Sequence, residues 1–391
     1  MSEPLGRRPL RIAFLTPSLD VGGAERKMIL LAERLDRDRY QTEFVLLMHA
    51  GALGPAAEAT GSRIRVLGWP SRHGRLHRLR WGWDVARLGP QLRAGHYDII
   101  HALLFNAAAL AALTQRLSGT PILIAGRERM DDYKERFGPL DRFLDGQARR
   151  SSDVVVAASE AVRYDVIRHE HIEPAKTRVI RNGVVLPPPM PPSERSAIRA
   201  AWGFGPDDLV VGCVANYKPA KGLELLLRVA ADLRSKAPHL RLVLVGEGEL
   251  RPTLERMIAD LHVGDIVRLH GRELDARRLY GAFDIYAHAS ESEGGPNAAI
   301  EAAAACRPIV ATGAGGTREV VIDGEGGLLV AINDEAAFSA ALMRMLSDGE
   351  MRKTFGAAAR DRAARLFSAE QFVADTAALY EEMAESKGIR R

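Results

Sequence analysis

Short apolar runs alternate with longer segments of helical pattern along this chain, and the alternation occurs twice. The runs fall at residues 10–16, 42–48, 63–67, 97–101, 121–125, 153–157 and 177–180, then again at 209–215, 240–245, 265–270, 284–289 and 308–312. Helical patterns lie between most of them, among them 24–35, 223–236, 250–261, 275–282 and 298–306. A strand that is apolar throughout has no face for water, so it needs cover on both sides. Helices connecting parallel strands supply that cover. The chain therefore reads as α/β, in two sheets wrapped by helices. Between the two series lies Leu186-Pro-Pro-Pro-Met-Pro-Pro-Ser193, too rich in proline for a helix or a central strand, and best read as a stiff linker. Three pieces are expected: a first domain over 1–186, a second over 187–367, and 368–391. The helical stretch 368–386 follows a break at Phe367-Ser368 and need not pack on the domain it follows.

At 391 residues the chain is long for one domain, and its length suggests two or three. The two cysteines, Cys213 and Cys306, give no disulfide framework and no metal spacing, and their apolar neighbours suggest buried, inert thiols. No segment approaches the roughly 18 consecutive apolar residues of a membrane span, and residues 1–11 lack the apolar core of a signal peptide. A cytoplasmic location is the expectation. The net charge of +4 hides an asymmetry: +8 over residues 1–190 and −4 over 191–391. The basic half suggests an anionic acceptor, nucleic acid or a membrane surface. Nucleic acid is disfavoured because no stacking aromatics accompany the basic residues in a recognisable motif. The basic run from Arg72 to Arg80, followed by Trp81 and Trp83, suits either a peripheral membrane contact over 72–83 or a solvated segment with its tryptophans turned inward.

Ligands of open parallel sheets bind beyond the carboxyl ends of the strands, so the residues that follow each run carry the functional signal. In the second half, a run leads through Glu293-Gly-Gly-Pro-Asn-Ala-Ala-Ile-Glu301 into a helix. The first turn of a helix presents unpaired N–H groups and suits an anion. A carboxylate accepts from hydroxyls, so Glu293 and Glu301 flanking that turn suit a phosphate between two polyols, which describes a nucleotide-sugar. Asn216-Tyr-Lys218-Pro-Ala-Lys221-Gly222 offers two lysines to a diphosphate without a metal. Gly22-Gly23, after the first run, reads equally as a close approach to a ligand or as a plain tight turn. Gly246-Glu-Gly248 begins like a dinucleotide fingerprint, but its third glycine position holds Arg251. Asp36-Arg-Asp38 reads as solvated charge. No metal is expected. Loops facing one another across the linker would make a cleft enzyme.

These motifs, in this order, resemble the retaining glycosyltransferases of family 4. The resemblance rests on Gly22-Gly-Ala-Glu25, Ser159-Glu-Ala-Val-Arg163, Val179-Ile-Arg-Asn-Gly-Val184, Lys221-Gly222, Val245-Gly-Glu-Gly248, Ser292-Glu-Gly-Gly-Pro-Asn297, Glu301-Ala302 and Gly315-Gly-Thr-Arg-Glu319. It implies the GT-B fold: two Rossmann-like domains facing across a cleft, the first binding the acceptor and the second the donor, with the final helix returning to the first. It implies that Glu293 holds hydroxyls of the donor sugar and Glu301 the ribose, while the loop from Gly294 through Gly295 and Pro296 to Asn297, by the N–H groups of its non-proline residues, and the glycine loops at Gly22, Gly23 and Gly246 meet sugar and phosphates. Lys221 resembles the lysine that neutralises the diphosphate. Asn216 stands where many relatives carry arginine, with Lys218 as the replacement charge, and Arg272 follows a strand on the donor side. Either His101 or Asn106 answers to a histidine near the acceptor, and Arg127, Arg129 and Asp131 suggest a polar or anionic acceptor group. The implied donor is a UDP-sugar rather than a GDP-sugar, with no cofactor. By the same resemblance, the acceptor hydroxyl attacks from the leaving-group face and needs no protein nucleophile. Two alternatives are a sugar-nucleotide epimerase of this fold and a sugar-nucleotide binding protein without turnover.

Overall fold

A computed structural model describes residues 8–69, 81–130 and 138–389, and the chain divides into two compact units. The first comprises residues up to Gly183 together with Glu370 onward, and the second runs from Val184 to Ala369. Among the described residues, the first unit holds strands β1 (Leu10–Ser18), β2 (Tyr40–His49), β3 (Arg63–Val66), β4 (Ile99–Ala102), β5 (Ile122–Arg127), β6 (Val154–Ala157) and β7 (Thr177–Val179). They form one parallel sheet in the order 3-2-1-4-5-6-7. The second unit holds β8 (Leu209–Val214), β9 (Leu240–Val245), β10 (Val267–Gly271), β11 (Ile285–His288), β12 (Ile309–Thr312) and β13 (Gly327–Val330), in the order 10-9-8-11-12-13. Both orders reverse once, between β1 and β4 and between β8 and β11. Such a switch point opens a crevice at the carboxyl ends of the strands.

Alternate residues of each strand enter opposite cores. In the second unit Val211, Cys213, Leu242, Leu244 and Ile285 pack with the helix Leu223–Leu233, while Val210, Val243, Tyr286 and Ile309 pack on the other face with the helix Asn297–Ala304. In the first unit Ile12, Phe14, Phe44, Ile99 and Ile124 share a core with Phe372, Leu379, Tyr380 and Ala384 of the final helix, Ala369–Ser386. Burying each of these large apolar side chains is worth roughly 1.5–3 kcal/mol, so the final helix is an integral layer of the first unit.

The structure departs from the sequence reading in detail. The division falls at Gly183/Val184 rather than 186/187, because Val184 donates to Phe367 O (2.7 Å) and accepts from Ala369 N–H (2.9 Å), which holds Val184, ahead of the proline stretch, against the second unit. β13 is absent from the apolar runs because it has only four residues behind a glycine-rich turn. The segment 275–282 is a 3₁₀ rather than an α-helix. Cys213 is buried, but Cys306 is only half-buried, since it sits at a left-handed position (φ 61°) in the turn after its helix.

Candidate donor site

The second unit's switch point is built by three strand-to-helix loops that hold one another in place. The loop after β8 ends at Gly222, whose φ of +64° is left-handed and whose Cα lies so near β11 that a Cβ would stand 2.0 Å from Ala289 O. Only glycine fits there. Glu291 N–H donates to Ala220 O across the same seam (2.9 Å), and Gly316 N–H donates to Glu293 O (3.0 Å), which ties in the loop after β12.

This stitching brings Lys221 and Glu293 together: Lys221 Nζ donates to Glu293 Oε1 at 2.7 Å. His288 Nε2, at the end of β11, lies 3.4 Å from the same oxygen without hydrogen-bond alignment. The Glu293 side chain is only 11% exposed, against 30% for Lys221. Burial by itself would raise the carboxyl's pKa, but His288 and then Lys221 outweigh it and hold Glu293 well below the usual carboxylate range. Glu293 is therefore ionised and acceptor-only at neutral pH. It cannot serve as a general acid.

Glu301 lies on the second turn of the helix Asn297–Ala304, where it accepts from the Tyr280 hydroxyl at 2.9 Å. Burial, then Glu301, pushes that phenol well above its ordinary value, so it remains a donor. Tyr286, on β11, is pushed well above its ordinary value by burial first, then by Cys213, with smaller contributions from Glu293 and Glu301. Cys213, on β8, is pushed up to about 12 by burial, so it is a neutral thiol in the floor of the site. Thr317 is fully buried in the adjoining loop, and its hydroxyl has no hydrogen-bond partner among the described residues.

Asn216 and Lys218 are exposed on the loop that carries Lys221, with Lys218 N–H bonded to Asn216 O (2.8 Å). Gly246 is half-buried after β9, and Arg272 is exposed after β10. Gly294 and Pro296 are buried, while Gly295 and Asn297 are half-buried at the helix entry. The spacing did not reveal His288, Tyr280 and Thr317. His288 fell inside the expected strand 284–289, and Tyr280 inside an expected helix.

In the first unit Gly22 precedes the helix Gly23–Arg34, and the Glu25 carboxylate folds back to within 2.2 Å of where a Gly22 Cβ would stand. Asn106 is half-buried in the first turn of the helix Phe105–Ser118, and Arg129 is exposed. Two expectations are corrected. His101 is 3% exposed, packs between Phe14 and Tyr380, and shares a 2.7 Å hydrogen bond with the Tyr380 hydroxyl. Burial, helped by Lys27, lowers its pKa to about 3. It is a neutral core histidine of β4, in neither a catalytic nor an acceptor position. Arg127 is likewise 3% exposed, bound to Glu170 (3.2 Å) and Asp145 (3.1 Å), and it neutralises buried carboxylates instead of meeting an acceptor. Asp131 and residues 72–80 lie outside the described residues. Trp83, from the same segment, is 74% exposed, so it is not packed inward. No helix among the described residues is long and apolar enough to cross a membrane.

Two family models match the chain: Glycosyltransferase Family 4 over residues 21–186 and Glycosyl transferases group 1 over residues 194–362. The D-inositol 3-phosphate glycosyltransferase of Streptomyces scabiei is 29% identical, over 96% of this chain and 90% of its own. The crystal structure of Anabaena HepE in complex with UDP and glucose is similar at a TM-score of 0.83 and 25% identity, covering 95% of this chain and 100% of that one. Sucrose-phosphate synthase from Thermosynechococcus elongatus, at 20% identity, has the same fold (TM-score 0.80, 96% and 100% covered).

Proposed function

The chain belongs to the family 4 glycosyltransferases, and on that premise we propose that it moves a sugar, with retention, from a UDP-sugar to a hydroxyl of a small polar acceptor. The observation that carries the reading is the Lys221–Glu293 pair, fixed by three loops at the second unit's switch point. When the anomeric C–O bond breaks, negative charge grows on the leaving diphosphate while the sugar ring becomes cationic. Lys221 and the N–H groups at the entry to the helix Asn297–Ala304 would stabilise the diphosphate, assisted by the exposed Lys218. Glu293, ionised and facing Lys221, would accept from sugar hydroxyls and keep the ammonium oriented before the donor arrives. Glu301 would accept from the ribose diol, with Tyr280 fixing its rotamer. None of these groups is a nucleophile. The acceptor hydroxyl would attack from the leaving-group face and pass its proton to the departing phosphate.

UDP is the favoured nucleotide because HepE, a structural neighbour, was solved with it. Inositol 3-phosphate is the first acceptor to try, since the Streptomyces scabiei relative is named for it. The test is a thermal-shift panel of UDP, GDP and their sugars. Turnover of the stabilising donor follows, with the product's anomeric configuration read by proton NMR. Failure of UDP and every UDP-sugar to stabilise the protein, or a product of inverted configuration, would refute the proposal.

A further inference from the structure

The first unit carries a second polar cavity of about 250 Å³, at the opposite ends of its strands from Gly22, His101 and Arg127. It opens where β1, β2 and β3 begin and where the chain approaches β4. Its rim is basic. Arg11, Arg37 and Arg63 line it, and none of the three has a carboxylate partner among the described residues. Arg37 is held in place by donating to Thr60 O at 2.7 Å. Glu43, the one carboxylate among the lining residues, is already neutralised by Arg65, whose Nε lies 2.9 Å from it. Arg65 is further fixed by Gln91 O at 3.2 Å. Among the described residues the cavity's charge is therefore set by these three guanidinium groups, of which Arg37 and Arg63 are exposed.

A second observation also points to a ligand. Tyr97 is 5% exposed and lines the cavity, and among the described residues its hydroxyl makes no hydrogen bond of good geometry. Burial, then the neighbouring Glu43 carboxylate, raises the phenol's pKa, so it stays protonated and a donor, with Glu43 the acceptor beside it. A buried phenol whose contact is a poorly aligned carboxylate already engaged by an arginine has a donor that a ligand oxygen can satisfy better. Thr42 and Ser62, hydrogen-bonded to each other at 2.6 Å, add hydroxyls to the wall, and Ala32 and Leu35 close it with apolar surface. Guanidinium groups facing a small, partly apolar space suit a dianion with acceptor oxygens. The volume corresponds to about eight waters, which accommodates a phosphate with a short polyol but not a whole nucleotide-sugar.

We propose that this cavity binds a small phosphate monoester, at a site separate from the one that handles the donor. The phosphate would sit among Arg11, Arg37 and Arg63, and Tyr97 would donate to one of its ester or hydroxyl oxygens. Because the cavity lies at the strand starts that frame the first sheet, the ligand would fasten β1, β2 and β3 together and stabilise that unit.

The test is calorimetric titration of the full-length protein with inorganic phosphate and with glucose 6-phosphate. Saturable binding of the monoester is expected, with Arg11→Gln and Arg63→Gln each weakening it about tenfold or more and Tyr97→Phe weakening it several-fold. Arg63 is exposed, so its variant tests the site even if Arg11→Gln folds poorly. Lys221→Met should leave this binding unchanged, which separates it from phosphate held at the donor site. The proposal is overturned if binding disappears in Lys221→Met, survives in both arginine variants, or is matched by chloride at equal ionic strength.

Discussion

Replacing Lys221 with methionine keeps the aliphatic stem but removes the charge that faces Glu293. The carboxylate is 11% exposed and would keep only His288, 3.4 Å away and poorly aligned. Breaking a buried pair by deleting one partner costs roughly 3–5 kcal/mol. Lys221 is 30% exposed, so water can reach the vacated position, and the expected loss falls to about 1–2 kcal/mol. Glu293→Gln in the same background should recover much of that loss, giving a double-mutant coupling of about 1 kcal/mol. The coupling depends on pH in a defined direction. Glu293 is depressed in the folded state, so its contribution is complete above the unfolded carboxyl pKa and fades as the pH falls through the folded value. Wild type and Lys221→Met should thus converge in stability under acid. Catalysis should suffer more than folding: loss of a charge aimed at the leaving diphosphate costs about 3 kcal/mol, or roughly 100-fold in kcat. Urea denaturation of the four cycle members and UDP release at saturating donor measure the two effects. Near-normal kcat in Lys221→Met, together with strictly additive stabilities, would refute the reasoning.

Other perturbations read other parts of the structure. Tyr280→Phe removes the hydroxyl that holds Glu301 and should weaken nucleotide binding about fivefold, near 1 kcal/mol, while unchanged UDP titration would remove Glu301 from the ribose role. His101→Phe strands the Tyr380 hydroxyl and should cost about 1–3 kcal/mol of stability with kcat preserved; a collapse in kcat without loss of stability would restore a catalytic part for this histidine. Because the folded state holds His101 near 3 and the unfolded chain binds its proton near 6.5, wild type should lose stability as pH falls between those values, and His101→Phe should flatten that segment of the profile. Gly222→Ala forces a left-handed alanine, costing about 1–2 kcal/mol, into a position 2.0 Å from Ala289 O, so both thermal stability and donor affinity should drop; an unchanged melting temperature would mean the seam between the loops is not tight.

The fold was legible because it depends on one-dimensional pattern. Apolar runs mark the buried parallel strands, whereas the units divide at Gly183/Val184, ahead of the proline stretch. Residue type and place in the chain also singled out Glu293, Glu301 and Lys221 as candidates, since each lies in or just beyond a strand-to-helix loop. The sequence could not show which of these groups touch. Lys221 and Glu293 are 72 positions apart and meet because Gly222 lets one loop close on the end of β11. Nor did it separate functional polar residues from structural ones. His101 and Arg127 occupy strand ends, as a ligand-binding residue would, but Tyr380 lies 279 positions away and Glu170 lies 43 positions away, and each consumes its partner's polar groups in the core. Local pattern determines which segments become strands and helices, because burial and backbone hydrogen bonding act over a few neighbours. Pairing between distant side chains is decided only when the sheets close, and with it the charge state of Glu293, the neutrality of His101 and the arginines around Tyr97 that have no carboxylate partner among the described residues.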